Sequence, residues 1–168
     1  MNQTSSAVFW NRKFDQLEEL LKRMDQMTEA KTETRSVIVE RVMPHAPEKI
    51  WRALTQPHLI QEWLMKNDFA PTVGHRFTLR SDPVPQWDGK IDCEVLTVEP
   101  NKTLAYTWGA LGLGSVVTFT LTKVEGGTRL RMEQEGFKLP QQKQAYAGAT
   151  YGWQRFIGNL EQVLARTE

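Results

Sequence analysis

The chain has 168 residues, 40% of them hydrophobic and 24% charged, enough for one substantial core and unlike either a disordered or a membrane protein. Its 21 basic and 20 acidic side chains leave a formal net charge of +1, so charge makes no case for nucleic acid or an anionic lipid surface. The single cysteine, Cys93, excludes an intramolecular disulfide framework and fits a reducing compartment.

The polar start MNQTSSAVFW lacks the basic and continuously apolar runs of a secretory signal. No stretch approaches the roughly 20 apolar residues needed to span a bilayer. A soluble cytoplasmic protein that does not engage membranes is expected.

From Ala7 to about Glu29 the residues Trp10, Phe14, Leu17, Leu21 and Met24 recur at three and four, the spacing of an amphipathic helix with Ser6 as its cap. Residues 7–31 are read as an accessory helix, 34–166 as the main domain, and Lys31 to Arg35 as a polar linker. The helix stripe is too apolar to be left in water, and pairing across a homodimer interface is the favoured use for it. Ser36 to Val42 is rich in Val and Ile and should be a strand, with apolar residues on both faces. Pro47 opens a short helix packing through Ile50, Trp51 and Leu54; Pro57 breaks it, and His58 to Leu64 forms a second.

Beyond Pro71 the period changes to two. Val73, His75, Phe77 and Leu79 share one face of a predicted strand, then Ser81 to Pro85 makes a stiff loop. Ile91, Cys93 and Val95 alternate, as do Leu104, Tyr106 and Trp108, then Val117, Phe119 and Leu121, then Leu130 and Met132. Turn signals at Glu99–Lys102 and Glu125–Gly127 join these runs into an antiparallel meander, while Gly109–Gly114 reads as a flexible connection. From about Pro140 the period returns to 3.6: Tyr146, Ala149, Trp153, Ile157, Leu160 and Leu164 mark one long helix. Gly148, Gly152 and Gly158 each weaken an isolated helix by roughly 1 kcal/mol relative to Ala, so packing must hold it. These small positions are read as admitting the sheet closely, with room for a ligand as the alternative.

Metal chemistry has no local support, since the three histidines His45, His58 and His75 lack metal-ligand spacing. His75 falls on an apolar parity and reads as a core or rim histidine. His45 and His58 read as exposed residues beside prolines. No phosphate loop or nucleophile elbow occurs, and Cys93, mid-strand among apolar neighbours, reads as an inert filler. No catalytic residue, metal or cofactor is assigned.

Taken in order, VMPHAPEKIWRALTQPHLIQEW, GHRFTL, GKIDCEVLTVEPNKTLAYTW, VVTFTLTKVEGGTRLRMEQEGF and GWQRFIGNLEQVL resemble the activator-of-Hsp90-ATPase-homologue-like proteins of the START/Bet v 1-like superfamily, over about three quarters of the chain. The resemblance implies an α+β helix-grip fold, in which a curved antiparallel sheet wraps the long terminal helix and encloses a cavity. It implies ligand-lining positions at Trp63, Phe77, Cys93, Tyr106, Trp108, Phe119, Met132, Tyr146, Thr150 and Trp153.

The expected function is non-catalytic binding of a small hydrophobic, aromatic or lipid-like molecule. A stress-related module acting on an Hsp90-type chaperone and a cyclase- or hydrolase-like enzyme using the cavity are the alternatives. The accessory helix lies outside the resemblance.

Overall fold

A computed structural model describes residues 16–20, 33–110 and 112–167. Gln16–Leu20 is helical, with Leu17 and Leu20 half exposed. The rest of the expected accessory helix, Trp10, Phe14, Leu21 and Met24 included, lies outside the described residues.

The elements in chain order are β1 (Glu33–Met43), α1 (Pro47–Thr55), α2 (Pro57–Trp63), β2 (Lys66–Asn67), β3 (Arg76–Arg80), β4 (Lys90–Glu99), β5 (Thr103–Ala110), β6 (Leu113–Val124), β7 (Gly127–Leu139) and α3 (Lys143–Arg166). One antiparallel sheet runs β1-β7-β6-β5-β4-β3-β2. β2 to β7 form a meander, and β1 returns to pair with the last strand. The two short helices and α3 cover one face, giving the expected α+β helix-grip arrangement. No helix among the described residues is long and apolar enough to cross a membrane.

The inward parities carry the core. Val37, Val39, Phe77, Ile91, Val95, Leu104, Val117, Phe119, Leu130 and Met132 are buried against Trp153, Ile157, Leu160, Val163 and Leu164 of α3. Ile38 and Val42, on the other parity of β1, stay about half exposed. Pro47 occupies the first turn of α1, where its missing N–H costs nothing, and Gln56-Pro57 ends that helix and starts the next. The indole of Trp63 locks the pair by donating from Nε1 to the Ala53 carbonyl at 2.8 Å. Arg41 ties the sheet to α3 through Gln154 and an ion pair with Glu161.

Several boundaries differ from the sequence reading. Glu33–Arg35 belongs to β1, because these residues pair with Phe137–Leu139 rather than forming a linker. Val73 is exposed and stands outside β3; Gly74, at φ 88°, turns the chain just before it. Gly109 and Gly114 face each other in the β5–β6 ladder and Ala110 pairs with Leu113, so these four residues continue the sheet where a flexible connection was expected. The two-residue strand β2, paired with β3, has no periodicity to announce it.

β7 contains one decisive irregularity. Leu130, Met132 and Gln134 point inward in alternation, yet the next buried side chain is Phe137. Gly136 supplies the extra residue: it lies opposite the Arg35/Ser36 register shift, at φ 115°. A bulge of this kind flips the side-chain parity of everything beyond it.

A Cβ at position 136 would lie 2.7 Å from the Gly114 carbonyl oxygen, in a backbone conformation that L side chains rarely adopt. Gly136→Ala is therefore expected to cost about 1–3 kcal/mol, read as a lower urea midpoint at unchanged slope. Parental stability would show that the bulge tolerates a side chain.

Candidate functional site

A cavity of about 440 Å³ opens between the first half of α3 and strands β4 to β7. Trp108, Ile91 and Leu113 form its sheet side; Ala145, Gly148, Ala149, Gly152, Trp153 and Phe156 form its helix side. Met65 and the half-buried Trp87 close it towards the loop after β3, and Phe137 towards the end of β7. A larger hollow of about 660 Å³ lies beyond Trp87, bordered by Gln86, Asp88, Lys90 and Asp92. It is an open, polar surface depression, whereas the apolar cavity has the lining of a small-molecule site.

Two helix glycines make the space. A Cβ at Gly148 would meet nothing within 4 Å, and one at Gly152 would meet only Phe156, at 3.9 Å. The sheet does not press against these positions. Room for a ligand, the alternative sequence reading, is what the geometry favours over close sheet approach.

At the inner wall a short polar chain is fully partnered. Trp153 Nε1 donates to Gln134 Oε1 at 2.7 Å, Gln134 Nε2 donates to Ser115 Oγ at 2.9 Å, and Ser115 Oγ donates to the Trp108 carbonyl at 2.8 Å. An indole N–H only donates, so the Gln134 carbonyl must face Trp153 and the amide orientation is fixed. Gln134 is 1% exposed, and a buried amide of this kind needs such partners to avoid a desolvation penalty. Among the described residues no buried side-chain nitrogen or oxygen lacks a partner.

The ten positions expected to line the site divide. Trp108 and Trp153 do so. Trp63, Phe77, Tyr106 and Phe119 instead fill the interior beyond them, in a row of edge-on and tilted ring contacts: Phe77–Tyr106 at 5.1 Å, Tyr106–Phe119 at 6.0 Å, Trp63–Phe119 at 6.1 Å and Phe119–Trp153 at 5.9 Å. Cys93 and Met132 are buried in the same packed region. Tyr146 is half-buried behind the wall, edge-on to Phe137 at 5.5 Å. Thr150 is exposed and donates its hydroxyl to the Tyr146 carbonyl at 2.8 Å.

Parity identifies the inward face but cannot say where that face meets a void. Ile91 and Gln134 share the parity of Cys93 and Met132, so their inward direction was readable. Phe137 was hidden by the bulge, and Trp87 and Met65 lie outside any periodic run.

Burial holds the titratable groups of the core, Cys93 and Tyr106, in their neutral forms. Burial, reinforced by Asp92 and Asp68, pushes the Cys93 thiol up to about 12. Burial also raises the Tyr106 phenol well above its ordinary range, with Cys93 adding to it. His75 is half-buried outside the cavity wall: its Nε2 sits 2.9 Å from the Asp68 carbonyl and its ring stacks over Phe77 at 6.3 Å. His45 is half-buried, not exposed, and burial followed by the Lys49 charge lowers its pKa. Among the described residues no three His, Cys, Asp or Glu side chains gather as metal ligands.

A thiol raised to about 12 stays protonated at pH 8. Cys93 is thus expected to resist a thiol-specific disulfide reagent in the native protein and to react fully in denaturant. Rapid native labelling would refute the buried, neutral thiol.

The profile of the family described as Activator of Hsp90 ATPase homolog 1-like protein matches residues 44–165. A crystal structure of a Mesorhizobium loti protein is 60% identical, covers 80% of this chain and 99% of its own, and superposes with a TM-score of 0.74. DynU16, a protein from the dynemicin biosynthetic locus, is 26% identical at TM-score 0.65, covering 78% of this chain and 47% of its own. The Aha1 dimer from Colwellia psychrerythraea, at 23% identity and TM-score 0.66 over 77% of this chain and 96% of that one, shares the fold. No curated relative matches the sequence. With the profile spanning most of the chain and the helix-grip core in place, the protein belongs to the Activator of Hsp90 ATPase homolog 1-like family, on a START/Bet v 1-like fold.

Proposed function

We propose that the protein binds a small, largely apolar molecule, without transforming it, in the cavity beneath the first half of α3. The observation that carries this reading is the apolar space of about 440 Å³ at Gly148 and Gly152, walled by aromatic rings and one oriented buried amide. A few polar groups set in an apolar concavity are what a small-molecule site requires. The protonated Cys93 and the His75 ring held at Asp68 speak against nucleophilic or general-base chemistry. A chaperone-directed role is suggested only by the family's description. Cyclase- or hydrolase-like action is suggested only by the presence of a cavity.

The test is to fill the space without disturbing the core. Because a Cβ at position 148 meets nothing within 4 Å, Gly148→Leu should fold normally, gain helix propensity of order 1 kcal/mol and occupy the cavity space. A bicyclic aromatic probe should raise the parent's melting temperature by a few degrees at about 100-fold excess over Kd, and should leave the variant's unchanged. An equal response from both proteins would place binding elsewhere.

Assembly through the amino-terminal segment is the second reading. Leu17 and Leu20 are half exposed on its described turn, and the Colwellia relative is described as a dimer. Phe14→Asp should then halve the mass seen by light scattering. A monomeric parent would end this reading.

A further inference from the structure

Along one side of α3 the cavity opens to solvent as an apolar groove. Ala145 and Gly148 are exposed at its rim, Gly152 and Phe156 are half-buried behind it, and its wall contains no charged side chain. A Cβ at Gly148 would meet nothing within 4 Å, so the helix presents a gap there instead of a ridge. Beside the rim stand Tyr151, 68% exposed, and Arg155, which is exposed and enters no ion pair among the described residues. The three-and-four spacing of Gly148, Tyr151 and Arg155 sets them in one row on that side of the helix.

The chain itself carries a segment that matches this groove. Gln16–Leu20 is helical and its Leu17 and Leu20 stay about half exposed, so the chain's own domain leaves them uncovered. Between them Glu18 and Glu19 are exposed, in no ion pair among the described residues and opposite in sign to Arg155. Leu17 belongs to the apolar stripe that begins with Trp10 and Phe14. From Trp10 to Leu21 and from Ala145 to Phe156 there are eleven steps each, about 17 Å of helix at 1.5 Å per residue. β1 begins at Glu33 opposite Leu139, four residues before α3 begins at Lys143, so the segment leaves the domain near the start of the groove. The twelve residues 21–32 span at most about 40 Å, which lets the stripe reach a neighbouring molecule.

We propose that in a homodimer the amino-terminal stripe of each copy lies along the groove of the other, with Phe14 and Leu17 against the gap at Gly148 and Glu18 and Glu19 on the side of Arg155. The cavity of each copy is then completed by side chains of the second, through two identical contacts related by a two-fold axis. The inference rests on the assembly reading above and deepens it by naming the surface that receives the stripe. Large apolar side chains on the segment meet small ones on α3, the complementarity that lets two helices approach closely.

Engineered thiols on the full chain test this, because Cys93 is buried and its thiol, pushed up to about 12, stays out of the reaction. Leu17→Cys and Tyr151→Cys both replace exposed side chains and should leave folding intact. Co-expressed and treated with a short bis-maleimide, the two variants should give a product of doubled mass that contains one copy of each, in excess of what either variant gives alone. A parent that is monomeric by light scattering would end the assembly reading and the inference with it. A dimeric parent whose co-expressed variants give no mixed product would leave assembly standing and overturn the docking surface. Linkage of both thiols within one doubly substituted chain, at single mass, would seat the stripe on its own domain and overturn the exchange between copies.

Discussion

The hydrogen bond from the Trp153 indole to the Gln134 carbonyl joins the two halves of this molecule. It pins the long helix to β7, the neighbour of the edge strand β1, in an apolar interior where an unmet amide or indole N–H would be costly. Around it the rings of Trp108, Phe119 and Phe156 converge on Trp153, with centroids 5.2, 5.9 and 5.5 Å away. Trp153 is therefore at once the boundary of the solid core and the inner wall of the cavity.

On one side of that boundary the grip is closed by aromatic bulk. Phe69, Phe77, Tyr106, Phe119 and Trp63 occupy the space between α2, the sheet and the second half of α3, and leave no lining for a guest. On the other side Gly148, Ala149 and Gly152 withhold side-chain volume from the same helix. The cavity thus arises from uneven filling along one helix, large residues towards its carboxyl end and small ones towards its start. The glycines that weaken the helix as an isolated element are compensated by the burial of Ile157, Leu160, Val163 and Leu164 further along it.

Much of this was legible in the chain. The two-residue alternation of Ile91, Cys93 and Val95, or of Val117, Phe119 and Leu121, named inward faces that are buried as read. The proline-started helices and the long terminal helix follow from local rules that act within a few residues: fixed φ at Pro, and 3.6-residue spacing of apolar side chains. Gln134 was visible too, as a polar residue on the inward parity of Leu130 and Met132, although only its partners show why it can be buried there.

What the sequence by itself determined was therefore the type and order of the elements and most of the buried set, because propensity and periodicity are properties of short stretches. Only the tertiary structure decided which buried residues face space and which face one another. The Gly136 bulge depends on a register shift against a strand about a hundred positions earlier in the chain, and it brings Phe137 to the wall. The void at Gly148 and Gly152 depends on the helix and the strands of Trp108 and Ile91, remote in the chain, coming together with no side chain between them. Packing between remote segments has no local signature, so Trp63, Phe77, Tyr106 and Phe119 read alike with Trp108 and Trp153 until the fold separates the filled end from the open one.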